Sequence, residues 1–306
     1  MSSTSPPRIF DRALLRQRRN RAAGSLTDYN FLVERAIGDL LDRLEPIVRD
    51  FPLALALGGA GLVGRARASN PALSAKIGAL IESDLSPRIS STMSGLKLAM
   101  DEEALSIRDE SVDLVLAPLG LHWANDLPGT LIQINRALKP DGFFAAALIG
   151  GASLTELRQS LMAAEVEITG GVSARVSPFA DAQDMSQLLQ RAGFALPVAD
   201  VDRMTVRYDN AFALMHDLRG MGETSILAER PRTPGTKALF LRAAEIYAER
   251  FSDPDGRIRA TFEIVHAAGW APHPDQPRPK RPGSATVRLA DALGTREMSA
   301  GEKAGG

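Results

Sequence analysis

Cysteine is absent from the 306 residues. That excludes disulfides, thiolate metal ligands and a cysteine nucleophile, and it fits a reducing compartment. An excess of one charge is also lacking: 36 Lys and Arg face 37 Asp and Glu, a formal net charge of -1. A general nucleic-acid binder is usually strongly basic, so that class is set aside. No apolar run approaches the roughly 20 residues that span a bilayer; the longest, such as Phe143 to Gly151, stop well short. The opening MSSTSPPRIF has no apolar h-region, so nothing marks it for secretion. His122, His216, His266 and His273 have no partners at ligand spacing, so no metal centre is expected. No G-x-S-x-G elbow is present either. A cytoplasmic globular protein remains, 44% apolar and 24% charged, with chain enough for one large core or two small ones.

The order of elements is the next information. After a Ser/Pro-rich start, Ile9 to Ala23 reads as a basic helix, with Arg8, Arg12, Arg16, Arg18, Arg19 and Arg21 set against Asp11. It is either a solvated face or a contact with an anionic surface or partner. Phe31, Ala36, Ile37, Leu40, Leu41 and Leu44 predict a helix over 28–48, with Asp28 as N-cap. Leu53 to Leu57 is a short apolar run that ends in Gly58-Gly59-Ala60-Gly61, and a helix follows from Leu62. This is the strand–turn–helix order of a nucleotide-binding crossover. Leu80-Ile81 belongs to a second strand, Val112 to Ala117 is a third, and Phe143 to Ile149 follows the turn Lys139-Pro140-Asp141-Gly142. Helices are predicted over 126–138, 153–169, 181–192 and 238–251. Strands alternating with helices imply an α/β protein whose mostly parallel, doubly wound sheet is covered on both faces. The chain divides into a basic N-terminal segment (1–27), the α/β domain (28–205), a helical C-terminal region packing on or lidding the site (206–271) and a Pro- and base-rich tail (272–306). Pro231 to Pro234 reads as a connector. Met215, Met221 and Trp270 are candidates for the lid, with core packing as the alternative.

Such a sheet binds ligands beyond the carboxyl ends of its strands. Three stations fall there: the glycines from Gly58 to Gly64, Asp84 at the end of the second strand, and Asp101-Glu102. The glycines let a ligand approach the backbone, Asp84 suits ribose hydroxyls, and Asp101 and Glu102 could accept from an adenine amino group. Alternatively the glycines only make a tight turn, Asp84 caps a helix starting at Pro87, and the acids form a solvated turn. Just after the third strand lies Leu121-His122-Trp123-Ala124-Asn125-Asp126-Leu127-Pro128. His122 is a candidate general base or donor to substrate. Trp123 is a candidate wall of the site, and Asp126 a cap for the next helix. The other possibility is that His122 and Trp123 only pack this loop.

Leu53-Ala-Leu-Ala-Leu-Gly-Gly-Ala-Gly61, Asp84, Ser111-Val-Asp-Leu-Val-Leu, Leu119-Gly-Leu-His-Trp-Ala-Asn-Asp-Leu-Pro128 and Leu138-Lys-Pro-Asp-Gly142 together resemble the class I S-adenosylmethionine (SAM) methyltransferases of the type-11 group. Ile9-Phe-Asp-Arg-Ala-Leu14, Gly150 to Arg158, Ser177-Pro-Phe179, Leu218-Arg-Gly-Met-Gly-Glu223 and Arg281 to Thr286 resemble the branch of complex I assembly factor 5 and its alphaproteobacterial relatives. The resemblance implies a Rossmann-like methyltransferase fold with N-terminal helices and a helical C-terminal extension. It implies SAM as cofactor, held by Gly58, Gly59, Gly61, Asp84, Asp101, Glu102 and Leu119. It further implies a protein substrate in respiratory complex I, modified by methylation or arginine hydroxylation, and a bacterial protein in peripheral contact with the inner membrane through its basic segment. The alternatives are a non-catalytic assembly scaffold and the malonyl-carrier-protein O-methyltransferase of biotin synthesis. Ala56 stands where the family's first motif has an acid, and Ala60 and Leu62 stand at its second and third glycines.

Overall fold

The computed structural model describes residues 8–231, 235–276 and 287–296. The Ser/Pro-rich start up to Pro7, residues 232–234 of the connector, and the part of the tail that includes Arg281 to Thr286 lie outside the described residues. Residues 1–272 form one compact unit and residues 273–306 a second. In the second, Gln276 N–H donates to the His273 carbonyl (3.2 Å) to close a turn. A short helix, Leu289–Leu293, ends there on Gly294 in the left-handed region.

The first unit is a seven-stranded sheet in the order β3-β2-β1-β4-β5-β7-β6. Strands β1 (Phe51–Leu57), β2 (Ile77–Asp84), β3 (Leu96–Ala99), β4 (Val112–Pro118) and β5 (Leu138–Ile149) run parallel. Central β4 is buried at every residue, as expected where both faces of a parallel strand are covered. Its one acid, Asp113, accepts from Leu53 N–H (2.9 Å) and Lys139 Nζ (3.0 Å), which ties β1 and β5 to it.

Helices α1 (Arg12–Ala22), α2 (Phe31–Leu44), α3 (Leu62–Ser69), α4 (Pro71–Lys76), α5 (Pro87–Thr92), α6 (Leu127–Ala137), α7 (Thr155–Thr169) and α8 (Ala182–Arg191) surround these strands. A 3-10 turn at Leu26–Asp28 takes up the expected cap, so α2 starts at Phe31, with Asn30 at the cap position. Asp84 does not cap α5: the Ser86 hydroxyl does, accepting from Ile89 N–H (3.1 Å). Asp126 caps α6 as expected, accepting from Gly129 N–H (2.9 Å).

Residues 206–271 include the helices α9 (Ala211–Gly220) and α10 (Lys237–Phe251). They also supply β7 (Ile258–Trp270), which inserts antiparallel between β5 and β6 (Ala195–Tyr208). This region therefore completes the sheet as well as packing on it. Trp270, a candidate lid residue, pairs with Phe143 of β5, ring centroids 4.6 Å apart. Because β7 runs backwards, that places it at the amino ends of the parallel strands, opposite the site.

Candidate functional site

The loop after β1 is held in an uncommon backbone conformation. Gly58, Gly59, Ala60 and Gly61 all have positive φ, and Ala60 (φ 51°, ψ 34°) is left-handed despite its side chain. A Cβ on Gly59 would come 2.7 Å from Pro118 Cγ, and one on Gly61 3.2 Å from Met93 Cγ. The protein itself thus occupies the space that these glycines leave. Ala56 sits beside Glu82 across the β1–β2 register. Glu82 is 2% exposed, and its carboxylate accepts from Gly64 N–H at the start of α3 (3.0 Å). A neighbouring strand therefore supplies a carboxylate to the loop–helix junction where β1 carries none. Burial raises the Glu82 pKa, partly offset by that N–H.

The acidic stations are occupied by α1. Arg12, Leu15 and Arg19 lie on one face of the helix at i, i+3 and i+7. Leu15 is buried with Phe10, Leu85, Trp123, Ile226 and Leu227. Arg19 makes a two-point pair with Asp84, Nη2 to Oδ2 at 2.6 Å and Nε to Oδ1 at 3.2 Å, and Asp84 is fully buried. Ser86 N–H adds a third bond to Asp84 (2.8 Å). Burial works against the Arg19 charge, yet Asp84, with Glu223 and Glu102 nearby, holds its pKa above the ordinary arginine value. Arg12 Nη2 bridges Asp101 and Glu102, 2.5 Å from each. Burial raises the Glu102 carboxyl, against the pull of Arg12 and Arg19.

The segment after β4 forms the other half of the site. Leu119, left-handed at φ 50° and buried, leads into the 3-10 turn Leu121–Trp123. His122 and Trp123 are both buried and converge on Glu223: Trp123 Nε1 donates at 2.7 Å and His122 Nε2 lies at 3.3 Å. His122 Nδ1 has no partner among the described residues. Phe10 and Phe179 stand edge-on to Trp123, centroids 5.2 and 5.4 Å away. Burial opposes the Glu223 charge, but the bond and charge of His122, the charge of Arg19 and the Trp123 bond bring its pKa below the ordinary value. Asn125 clamps the backbone of Phe10, accepting from its N–H (2.7 Å) and donating to its carbonyl (3.2 Å).

Glu223 was not singled out as a site residue in the sequence, although it ends the stretch Leu218 to Glu223. It lines two cavities. One, about 70 Å³, lies over the glycine loop with Ala60, Leu119, His122 and Met221. The other, about 320 Å³, includes Trp123, Phe179 and Met215. The structure therefore brings His122, Trp123 and Leu119 together around Glu223. Asp84, Asp101 and Glu102 lie under α1, on arginines.

A doubly wound sheet with a glycine turn after β1, an acid ending β2 and an antiparallel β7 defines a class I methyltransferase fold. Residues 63–146 match the family described as a methyltransferase domain. The chain is 40% identical to the mitochondrial arginine-hydroxylase NDUFAF5 of Rattus norvegicus, covering 98% of this chain and 89% of the relative. It is 31% identical to the malonyl-[acyl-carrier protein] O-methyltransferase of Gallionella capsiferriformans, over 92% and 97% of the two chains. The YcgJ protein of Bacillus subtilis shares the fold, with a TM-score of 0.53 at 14% identity, covering 78% of this chain and 99% of that one. The chain belongs to the methyltransferase family, in the branch that holds the arginine-hydroxylases.

SAM is the cofactor that this family implies. Sites for ligands of that size are roughly 300–1,000 Å³, whereas the cavity over the loop is about 70 Å³. The carboxylates that would meet ribose and adenine are already bonded to Arg19 and Arg12. In this conformation the residues do not fit the cofactor.

Proposed function

We propose that this protein modifies an arginine of a respiratory complex I subunit during assembly, at the carboxyl end of the sheet around Glu223, His122 and Trp123. The observation that carries the reading is the likeness to an arginine-hydroxylase along 98% of the chain. The site supports it in two ways. A guanidinium is met best by a carboxylate beside aromatic rings, and Glu223 lies beside Trp123 and shares the 320 Å³ cavity with Phe179. The burial of Asp84 under Arg19 also weighs against methyl transfer from SAM in this conformation. On this reading His122 and Trp123 orient Glu223, and the protein meets its substrate at the inner membrane. No helix among the described residues is long and apolar enough to cross a membrane.

Methyl transfer is the second reading, favoured by the methyltransferase-domain match. It requires α1 to leave the acidic stations, so that Gly58, Gly59, Gly61, Asp84, Asp101, Glu102 and Leu119 become cofactor contacts and His122 a general base. Deleting the gene separates the readings. Loss of assembled NADH dehydrogenase on native gels, with growth independent of biotin, supports the complex I reading. Biotin auxotrophy with normal complex I would overturn it in favour of a carrier-protein methyltransferase.

A further inference from the structure

The arginines of α1 divide into two sets. Arg12 and Arg19 turn inward onto carboxylates. Arg16, Arg18 and Arg21 form no ion pair with a carboxylate among the described residues, and Arg18 donates to the backbone oxygen of Ser225. Burial, with repulsion from Arg230 and Arg21, lowers the Arg18 pKa. Arg219, on α9, likewise has no carboxylate partner among the described residues and is exposed. The chain as a whole carries a net charge of -1, so this is a local accumulation of unpaired positive charge.

These arginines border two cavities. The 320 Å³ cavity has an apolar floor that includes Leu157, Leu161, Met215 and Phe240, and Arg18 and Arg219 are in its wall. A second, of about 740 Å³, shares Arg18, Arg219 and Thr224 and adds Arg21 and His216, with no Asp or Glu in its lining. Three polar atoms of residues lining the first cavity are buried without a partner among the described residues: Arg175 Nε, Ser177 Oγ and Ser225 Oγ. Ser177 is 3% exposed. Buried polar groups are nearly always bonded, and leaving them unmet is unfavourable.

We infer that these two cavities form one docking groove for an extended acidic stretch of the protein substrate. Carboxylates of that stretch lie on Arg18, Arg21 and Arg219, and an adjoining apolar side chain covers the Leu157, Leu161 and Phe240 floor of the 320 Å³ cavity, whose Glu223 and Phe179 side is left to the substrate arginine. A free anion would satisfy the arginines but leave the apolar floor uncovered, whereas an acidic peptide with an apolar anchor meets both. The inference rests on the reading that the substrate is a protein.

The test is fluorescence anisotropy on the full chain with a labelled peptide of alternating Glu and Leu. The same peptide with Lys for Glu, and one with Ser for Leu, serve as comparisons. The Glu–Leu peptide binds, and added salt weakens it. Charge reversal in R18E/R219E weakens it about tenfold or more, from two exposed or half-exposed charges at up to about 1 kcal/mol each and their reversal. R108E, an exposed arginine on another face, leaves binding within about twofold. If R18E/R219E does not fold, R21E/R219E takes its place with the same expectation. Equal binding of the Lys peptide, or binding by the reversal variant within twofold of wild type, overturns the inference. So does an undiminished Ser peptide that inorganic phosphate displaces fully, which would indicate a simple anion site. The two readings fail separately. Normal complex I in the deletion strain sinks the proposed function while arginine-dependent peptide binding stands. Full complementation of an assembly defect by R18E/R219E sinks the groove alone.

Discussion

Replacing Arg19 by Met tests whether α1 is pinned over the acidic stations. Arg19 is 8% exposed and Asp84 0%, and two bonds join them. Met keeps much of the aliphatic volume but cannot donate, so the Asp84 carboxylate would keep only the Ser86 N–H and lose its counter-charge. Breaking a buried pair in this way costs about 3–5 kcal/mol, a large part of the roughly 5–15 kcal/mol that stabilises a domain. Urea unfolding followed by circular dichroism should therefore show R19M less stable than wild type by about 3 kcal/mol or more. R19M/D84N, which removes the buried charge and keeps an acceptor for Ser86, should recover at least about 2 kcal/mol of the loss. A single-variant loss under about 1 kcal/mol that the second substitution leaves unchanged is what a solvent-exposed pair would give. That result would refute the burial argument.

Three further outcomes follow from the same geometry. SAM must break the Arg19–Asp84 pair to reach Asp84, so calorimetric titration should find R19A binding it about a hundredfold or more tighter than wild type; equal affinities would show that the pair does not guard the station. Ala60 holds a left-handed backbone at φ 51°, a conformation that costs a non-glycine residue about 1–2 kcal/mol; A60G, with its own entropy cost, should stabilise by about 0.5–1 kcal/mol in melting experiments, and destabilisation would contradict the strain. The raised Glu82 pKa means that its contribution to stability is fully present below the unfolded carboxyl value and is lost as pH rises through the folded one. E82Q, which can still accept from Gly64 N–H, should flatten that decline in pH-dependent unfolding; an unchanged slope would place the titration elsewhere.

Much of the fold was legible because central parallel strands are covered on both faces and read as nearly continuous apolar runs, as in Val112 to Ala117, which only Asp113 interrupts. Edge strand β6 was not: it mixes Asp200, Asp202, Arg203 and Arg207 with apolar residues, and along it half-buried and exposed positions largely alternate, with only Tyr208 buried. A half-solvated strand of that kind resembles loop composition. Strand β7 was not legible either, because its place beside β5 depends on pairings across more than a hundred residues. The site was legible in its residue types but not in their use. Asp84 lies where ribose would be met, but it serves Arg19, 65 residues earlier in the chain. Glu223 reaches His122 across 101 residues, and no local spacing signals that contact. The vacancy at Ala56 is answered from the next strand by Glu82, a compensation visible only in the register.

The proposed modification is tested most directly by peptide mass spectrometry of the NADH dehydrogenase subunits from wild-type, deletion and complemented strains. With O2 as the oxidant and an external two-electron reductant, the second oxygen leaving as water, one subunit arginine should carry the mass of an added oxygen atom in the wild-type and complemented strains and be unmodified in the deletion strain. Identical spectra in all three, or a methyl group in place of oxygen, would contradict arginine hydroxylation by this protein.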